Sequence, residues 1–319
     1  MRKKQMKAIL AVFAIVLAVT SSGCTQNSGE KIQIGLLPIA DALPFYVAEE
    51  KGYFRAEGLN VELVTFQSAV ERDSAMQARE IDGSIGDIVA VAALNNSGTQ
   101  TKIVSLGLGE SGREGRFAVV SPPGSGLVRP EQLKNVPVAI STNSIIEYVT
   151  DNLLLEKGLK PDEIKKEAIP KIPVRYDLLM KGQIRAACLP DPYAALAESR
   201  GANLVADDTE SNLSQTVIYF RNDFLEKNGK ETVLLLKAYA KAARGINENP
   251  AQYRDLLIDK AKVPPEAVDV FRMDHYPAPR LPEKEQVERV IRWMFDKGLL
   301  KNIPGYEDLT AKGFIPADD

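Results

Sequence analysis

Apolar residues along the chain fall in two alternating patterns. Short apolar or every-other-residue runs predict strands at 32–37, 60–66, 84–86, 102–106 and 117–121. A second series follows at 136–140, 166–169, 184–189, 203–206 and 215–220. Between them, longer stretches with apolar residues three to four places apart predict helices at 69–78, 88–94, 143–157, 174–181 and 191–199. A further helix opens at Pro44, a position where the missing N–H costs nothing, and Gly158 is a natural stop for the helix before it. Beyond Phe220 only the helical period remains, over 231–247, 251–262 and 283–297. In the last of these, Val287, Val290, Ile291, Met294 and Phe295 predict one apolar face against a core.

Strands that alternate with helices build mostly parallel sheets flanked by helices. The alternation restarts after Pro122-Pro123-Gly124-Ser125-Gly126, which predicts an α/β chain of two lobes. The expected division is a discontinuous first lobe, 32–121 and 214–319, around a continuous second lobe, 122–213.

The N-terminus follows a different pattern. Arg2, Lys3, Lys4 and Lys7 precede a continuous apolar run over 8–19, and small residues lead from Thr20 to Gly23. This order predicts a secretory signal peptide over 1–23. The apolar run is shorter than the roughly 20 residues that span a membrane. Cys24 directly after the small residues resembles the lipobox of bacterial lipoproteins, with Ser21 where that box usually has Leu. The resemblance implies lipidation at Cys24, with 24–31 as a polar tether.

Composition narrows the chemistry. Without the signal, 36 basic residues face 43 acidic ones, a net charge of −7, which disfavours nucleic acid as a partner. The second cysteine, Cys188, lies in an apolar stretch and reads as a buried thiol. With one histidine, His275, no Cys/His cluster is available for a metal and a Ser-His-Asp arrangement has little to work with. No cofactor motif is present, and catalysis is not expected.

Four stretches carry a resemblance. They are 44–64 (PFYVAEEKGYFRAEGLNVELV), Gly83-Ser84-Ile85-Gly86-Asp87, 181–187 (KGQIRAA) and Leu189-Pro190-Asp191-Pro192-Tyr193. In this order and spacing they resemble ABC-transporter solute-binding proteins of the sulfonate, nitrate, taurine and thiamine-precursor type. The resemblance implies a two-lobed periplasmic-binding-protein-like (type II) fold that takes a small solute in a cleft. It also implies a monomer that delivers the solute to an ABC permease and its ATPase. With Cys24, it implies a lipid anchor on the extracytoplasmic face of a bacterial membrane. A sensor-type binding protein feeding a membrane receptor is the alternative. An enzyme of this fold that consumes its own histidine is disfavoured, because His275 lies in the helical tail.

Ligands of α/β sheets gather beyond the carboxyl ends of parallel strands. That rule selects Asp41, Ala42, Pro44, Phe45, Gln67, Ser68 and Asp87 in the first lobe. In the second it selects Ser141, Asn143, Ser144, Glu147, Arg175, Asp191 and Tyr193. Asp41, Asn143 and Asp191 are equally suited to capping helices. Four carboxylates, Asp41, Asp87, Glu147 and Asp191, against one arginine predict a neutral or cationic nitrogen heterocycle or amine. Phe45 or Tyr193 would stack on it. A sulfonate- or nitrate-like oxyanion is the alternative.

Overall fold

The computed structural model describes residues 30–262 and 271–317. The signal, Cys24 and nearly all of the tether lie outside them. Ten strands occur in chain order: β1 (Lys31–Leu36), β2 (Asn60–Thr65), β3 (Gly83–Asp87), β4 (Thr101–Leu106), β5 (Phe117–Ser121), β6 (Pro137–Ile140), β7 (Lys165–Ala168), β8 (Ala186–Pro190), β9 (Asn203–Asp207) and β10 (Thr216–Arg221). They form two five-stranded sheets, ordered β2-β1-β3-β10-β4 and β7-β6-β8-β5-β9.

The two sheets follow one plan. In the first, β2, β1 and β3 pair in parallel, and β10 runs antiparallel between β3 and β4. In the second, β7, β6 and β8 pair in parallel, and β5 runs antiparallel between β8 and β9. The antiparallel strand of each sheet is thus the one that has just crossed from the other lobe. This corrects the expected boundary after Ser121: β5 belongs to the second sheet, so the chain changes lobe before Phe117.

Helices cover the sheets, because strands buried on both faces need apolar partners above and below. On one side of the first sheet the helix Leu43–Glu50 packs against the long helix Gly229–Glu248, with Phe45 and Tyr239 in ring contact at 5.1 Å. On the other side the helix Ile88–Asn96 meets Lys284–Asp296. The expected stripe is present at Val287, Val290, Ile291 and Met294, all buried. Phe295 departs from it at 39% exposure.

Two crossovers, 107–116 and 208–215, join the lobes and hold each other. Asn212 Nδ2 donates to Gly109 O (3.0 Å) and Ser214 Oγ to Gly115 O (2.9 Å). Gly109 has φ +96, and a Cβ there would lie 2.9 Å from the backbone of Gln215. Glycine lets the two crossovers touch at this point.

Candidate functional site

The carboxyl ends of β1, β2 and β3 face those of β6, β7 and β8, and the lobes are closed on each other. Ala40 N donates to Asp191 O and Ile172 N to Gln67 O, each at 3.3 Å. Lys171 and Glu71 pair across the mouth at 3.1 Å. Between the lobes lies a cavity of about 20 Å³, room for about one water. In this arrangement the space between the lobes has no room for a molecule much larger than water.

The first lobe contributes Asp41, Arg72, Asp87 and Thr216 to the cavity wall. Asp41 is buried and its Oδ1 has no hydrogen-bond partner. Burial pushes its carboxyl up to about 7, with Arg72 opposing and Asp87 adding to the rise. Asp87 caps the helix Ile88–Asn96 by accepting from Ala90 N at 2.9 Å. Its other oxygen is 3.8 Å from Arg72 Nη2. Burial raises Asp87 to about 6, again against Arg72.

Arg72 is buried on the helix Ala69–Gln77. Its Nε donates to Asp73 Oδ1 (2.9 Å), and Nη2 has no hydrogen-bond partner. Burial alone would favour its neutral form, but Asp73, Tyr219 and Asp87 outweigh that and keep it charged. The guanidinium lies so close to β3 that a Cβ on Gly86 would sit 2.5 Å from Nη1. Sequence reasoning missed Arg72. The available signal was its place with Ala75 and Met76, at i, i+3 and i+4 on the buried stripe of its helix.

The second lobe contributes Ser141, Ser144, Ile145, Ile146 and Ile172. Asn143 turns left-handed at φ +54, so the helix begins later than expected, as Ile145–Glu156. Ser144 caps it instead of Asn143, accepting from Ile146 N at 3.2 Å. Ser144 Oγ in turn donates to Ser141 O (2.7 Å). Ser141 Oγ donates to Pro170 O (3.0 Å) and accepts from Arg175 Nη1 (3.2 Å). Arg175 does not line the cavity. It is fully buried behind Ser141, and burial lowers its guanidinium to about 10.

Several expected contacts do not line the cavity. Phe45 is buried between Phe54 and Tyr239 in the core of the first lobe, with Ala42 and Pro44 buried beside it. Tyr193 packs on Tyr176 and donates to Ala261 O (2.8 Å). Neither ring is placed to stack on a solute there. Gln67 is exposed and meets the second lobe through its carbonyl, while Ser68 caps its helix through Glu71 N.

Two of the four carboxylates are also engaged elsewhere. Glu147 is bound by Lys166 (2.7 Å) and Lys297 (2.6 Å); against the cost of burial, these ammoniums hold it below the usual carboxylate range. Asp191 is held by both arms of Arg116, at 3.1 and 3.3 Å, and accepts from Ala195 N (3.0 Å). The four-carboxylate cleft therefore reduces to Asp41 and Asp87 beside Arg72. A wider groove of about 900 Å³ runs past Arg116, where Asp191, Glu198 and Asp207 all pair with that guanidinium.

Among the described residues, no group of three or more His, Cys, Asp or Glu side chains could hold a metal ion. In the same residues no helix is long and apolar enough to cross a membrane.

The sequence profile of the NMT1-like family matches residues 25–258. The nitrate import ATP-binding protein NrtC of Synechocystis sp. is 24% identical over 82% of this chain. The chain spans 41% of that relative's length. Among solved structures, the alkanesulfonate-binding protein SsuA of Xanthomonas axonopodis, bound to MOPS, superposes with a TM-score of 0.75. It is 17% identical, with 88% of this chain and 98% of that one covered. The periplasmic nitrate-binding protein NrtA of Synechocystis superposes at 0.65. It is 15% identical, with 86% and 84% covered. At these identities the superpositions speak for the fold: a two-lobed, periplasmic-binding-protein-like α/β architecture.

Proposed function

Since the chain belongs to the NMT1-like family, we propose that it is the extracytoplasmic solute-binding component of an ABC import system. It captures a small molecule between its lobes and hands it to a permease driven by an ATPase. The relatives that bind alkanesulfonate or nitrate support the transport role. The N-terminal signal supports export, and Cys24 would carry the lipid that keeps a monomeric receptor beside its permease. Mass spectrometry of the mature protein from a bacterial membrane tests the anchor: diacylglycerol on Cys24 is expected, and an unmodified or absent Cys24 refutes it.

For the solute, we propose an amine or a nitrogen heterocycle that is cationic or donates hydrogen bonds. The observation that carries this is Asp41, a buried carboxyl on the cavity wall whose Oδ1 lacks a partner. An unpaired buried acceptor costs roughly 1–3 kcal/mol, and a bound N–H removes that cost. The second reading is an oxyanion, favoured by Nη2 of Arg72 on the same wall, which makes no hydrogen bond. A thermal-melt screen decides between them. A ligand at a hundred times its Kd adds about 2.7 kcal/mol. Amines and aminopyrimidines are expected to raise Tm; a rise with nitrate and ethanesulfonate, and none with any amine-bearing compound, would establish the oxyanion instead.

A further inference from the structure

The long helix Gly229–Glu248 of the first lobe has two faces of different character. Its inner face, from Leu235 and Leu236 to Ala243 and Ile246, is buried. Its outer face carries Lys230, Lys237, Lys241 and Arg244. Successive helical residues turn by about 100°, so these four fall within about 60° of one another, in a stripe about 20 Å long. Between Glu231 and Glu248 the helix carries no acidic residue, although acidic residues outnumber basic ones in the chain as a whole. Lys230, Lys241 and Arg244 are exposed and, among the described residues, make no ion pair. Lys241 Nζ lies 4.4 Å from the centre of the Tyr53 ring, which steadies the ammonium without neutralising it. Lys237 is 3.7 Å from Glu57. On the adjoining segment, exposed Glu49 and Glu50 are balanced by exposed Lys51 and Arg55, so the surplus of positive charge is that of the stripe.

The stripe lies beside the point where the chain enters the fold. Lys31 pairs with Asn60 in the register of β1 and β2, and Glu57, the partner of Lys237, stands just before that strand. From Cys24 to Glu30 even a fully extended chain spans at most about 22 Å. A lipid on Cys24 would therefore keep this side of the first lobe close to a bilayer. The mouth is elsewhere. Glu71 belongs to the helix Ala69–Gln77, which packs with Ile88–Asn96 on the other side of the sheet, so a contact along the stripe leaves the mouth free.

We propose that the stripe from Lys230 to Arg244 is a docking face for an anionic lipid surface. The proposal rests on the reading of the chain as an exported receptor anchored at Cys24, and adds the face on which that receptor lies. The contact is electrostatic, because the apolar face of the helix is turned to the core and nothing is left to insert among acyl chains. Anionic headgroups attract each cation close to the surface, and the tether provides the local concentration that makes a weak contact effective. The receptor then rests on the bilayer by its closed side, with the mouth open to solute.

Vesicle flotation tests this with the full mature chain carrying Cys24→Ser, so that no anchor contributes. Vesicles of phosphatidylcholine alone are compared with vesicles containing about 30% phosphatidylglycerol. About tenfold more protein is expected to float with the anionic vesicles at low salt, and salt near 1 M, where the screening length is about 3 Å, should release it. Lys230→Glu, Lys241→Glu and Arg244→Glu together should abolish the difference. Lys160→Glu, Lys165→Glu and Lys181→Glu, at exposed positions of the second lobe, change the net charge equally and should leave most of the binding. Equal loss in the two triple variants would show that net charge and not the stripe is responsible, and would overturn the proposal. Equal flotation with both kinds of vesicle would overturn it as well. So would no flotation with the anionic ones, which would leave the stripe to an acidic protein instead. If the first triple variant fails to fold, Lys241→Gln with Arg244→Gln should lower flotation in the same direction, and unchanged flotation would overturn the proposal. The anchor is judged separately, by mass spectrometry of the mature protein, so either claim can fail while the other stands.

Discussion

Asp41 is pulled in two directions: burial favours its proton, and Arg72 favours its charge. Burial wins, and the carboxyl is pushed up to about 7, against about 3.9 in an unfolded chain. Between those values the folded state holds a proton that the unfolded state has released. Stability therefore falls as pH rises from about 4 to about 7, by up to about 1.4 kcal/mol per pH unit for one such group. Asp87 and Asp208, each raised by burial to about 6, add the same sign. Thermal melts from pH 5 to pH 8 should show Tm falling with pH. Asp41→Asn, which cannot ionise, should flatten the slope and melt higher than the parent at pH 8. An unchanged slope would remove Asp41 as its source. The positions of Asp41, Asp87, Ser141 and Ser144 at the cleft are readable from the sequence, since strand-to-helix loops point there. Which way a side chain turns is not. Phe45 lies next to that loop yet faces its own core, and Arg72 lies a turn inside a helix yet faces the cavity.

Whole elements follow the same division. The apolar stripe of the helix Lys284–Asp296 is periodic, so its buried face can be read directly; what its other side meets cannot. Trp293 and Lys297 reach the second lobe. Lys297 Nζ lies 2.6 Å from Glu147 Oε1 and 2.8 Å from Asp151 Oδ2, and Trp293 Nε1 donates to Asp151 Oδ2 (3.2 Å). The indole also meets Tyr148 edge-on at 5.3 Å. Strand β5 departs from the expected division for a related reason. Its residues, Phe117 to Ser121, alternate no differently from those of a first-lobe strand, and its sheet is set by distant partners on β8 and β9. Because Trp293 is the only tryptophan, its emission reports this cross-lobe contact. Lys297→Met keeps the stem but removes the charge, leaving Glu147 and Asp151 to Lys166 alone. Its emission should move to longer wavelength, with a stability loss of about 1–3 kcal/mol. Emission identical to the parent would mean the ion pairs do not hold the lobes together here.

At the scale of the molecule, the contacts between the lobes include the paired crossovers, the Tyr193–Ala261 hydrogen bond, the Trp293–Lys297 contact and the mouth. On the proposed function, the mouth is the one a solute would open. There Glu71 on the first lobe pairs with Lys171 on the second, beside the hydrogen bond from Ile172 N to Gln67 O. Both side chains are well exposed, so the pair adds little to folding. Its effect falls on the balance between open and closed forms, because it exists only when the mouth is shut. A closed form that loses such a contact releases its solute faster, and association, governed by the open form, changes little. Glu71→Lys puts two ammoniums across the mouth and should weaken binding by about two- to fivefold, nearly all in the dissociation rate. Lys171→Glu alone should do the same with two carboxylates. The double exchange, Glu71→Lys with Lys171→Glu, restores opposite charges and should recover most of the loss. That recovery separates a cross-lobe pair from two independent surface effects, which would simply add. Stopped-flow measurement of solute release in the four proteins, at low and at high salt, reads the coupling directly. It should shrink as salt screens the pair, and strictly additive rates at low salt would show that the mouth closes without it.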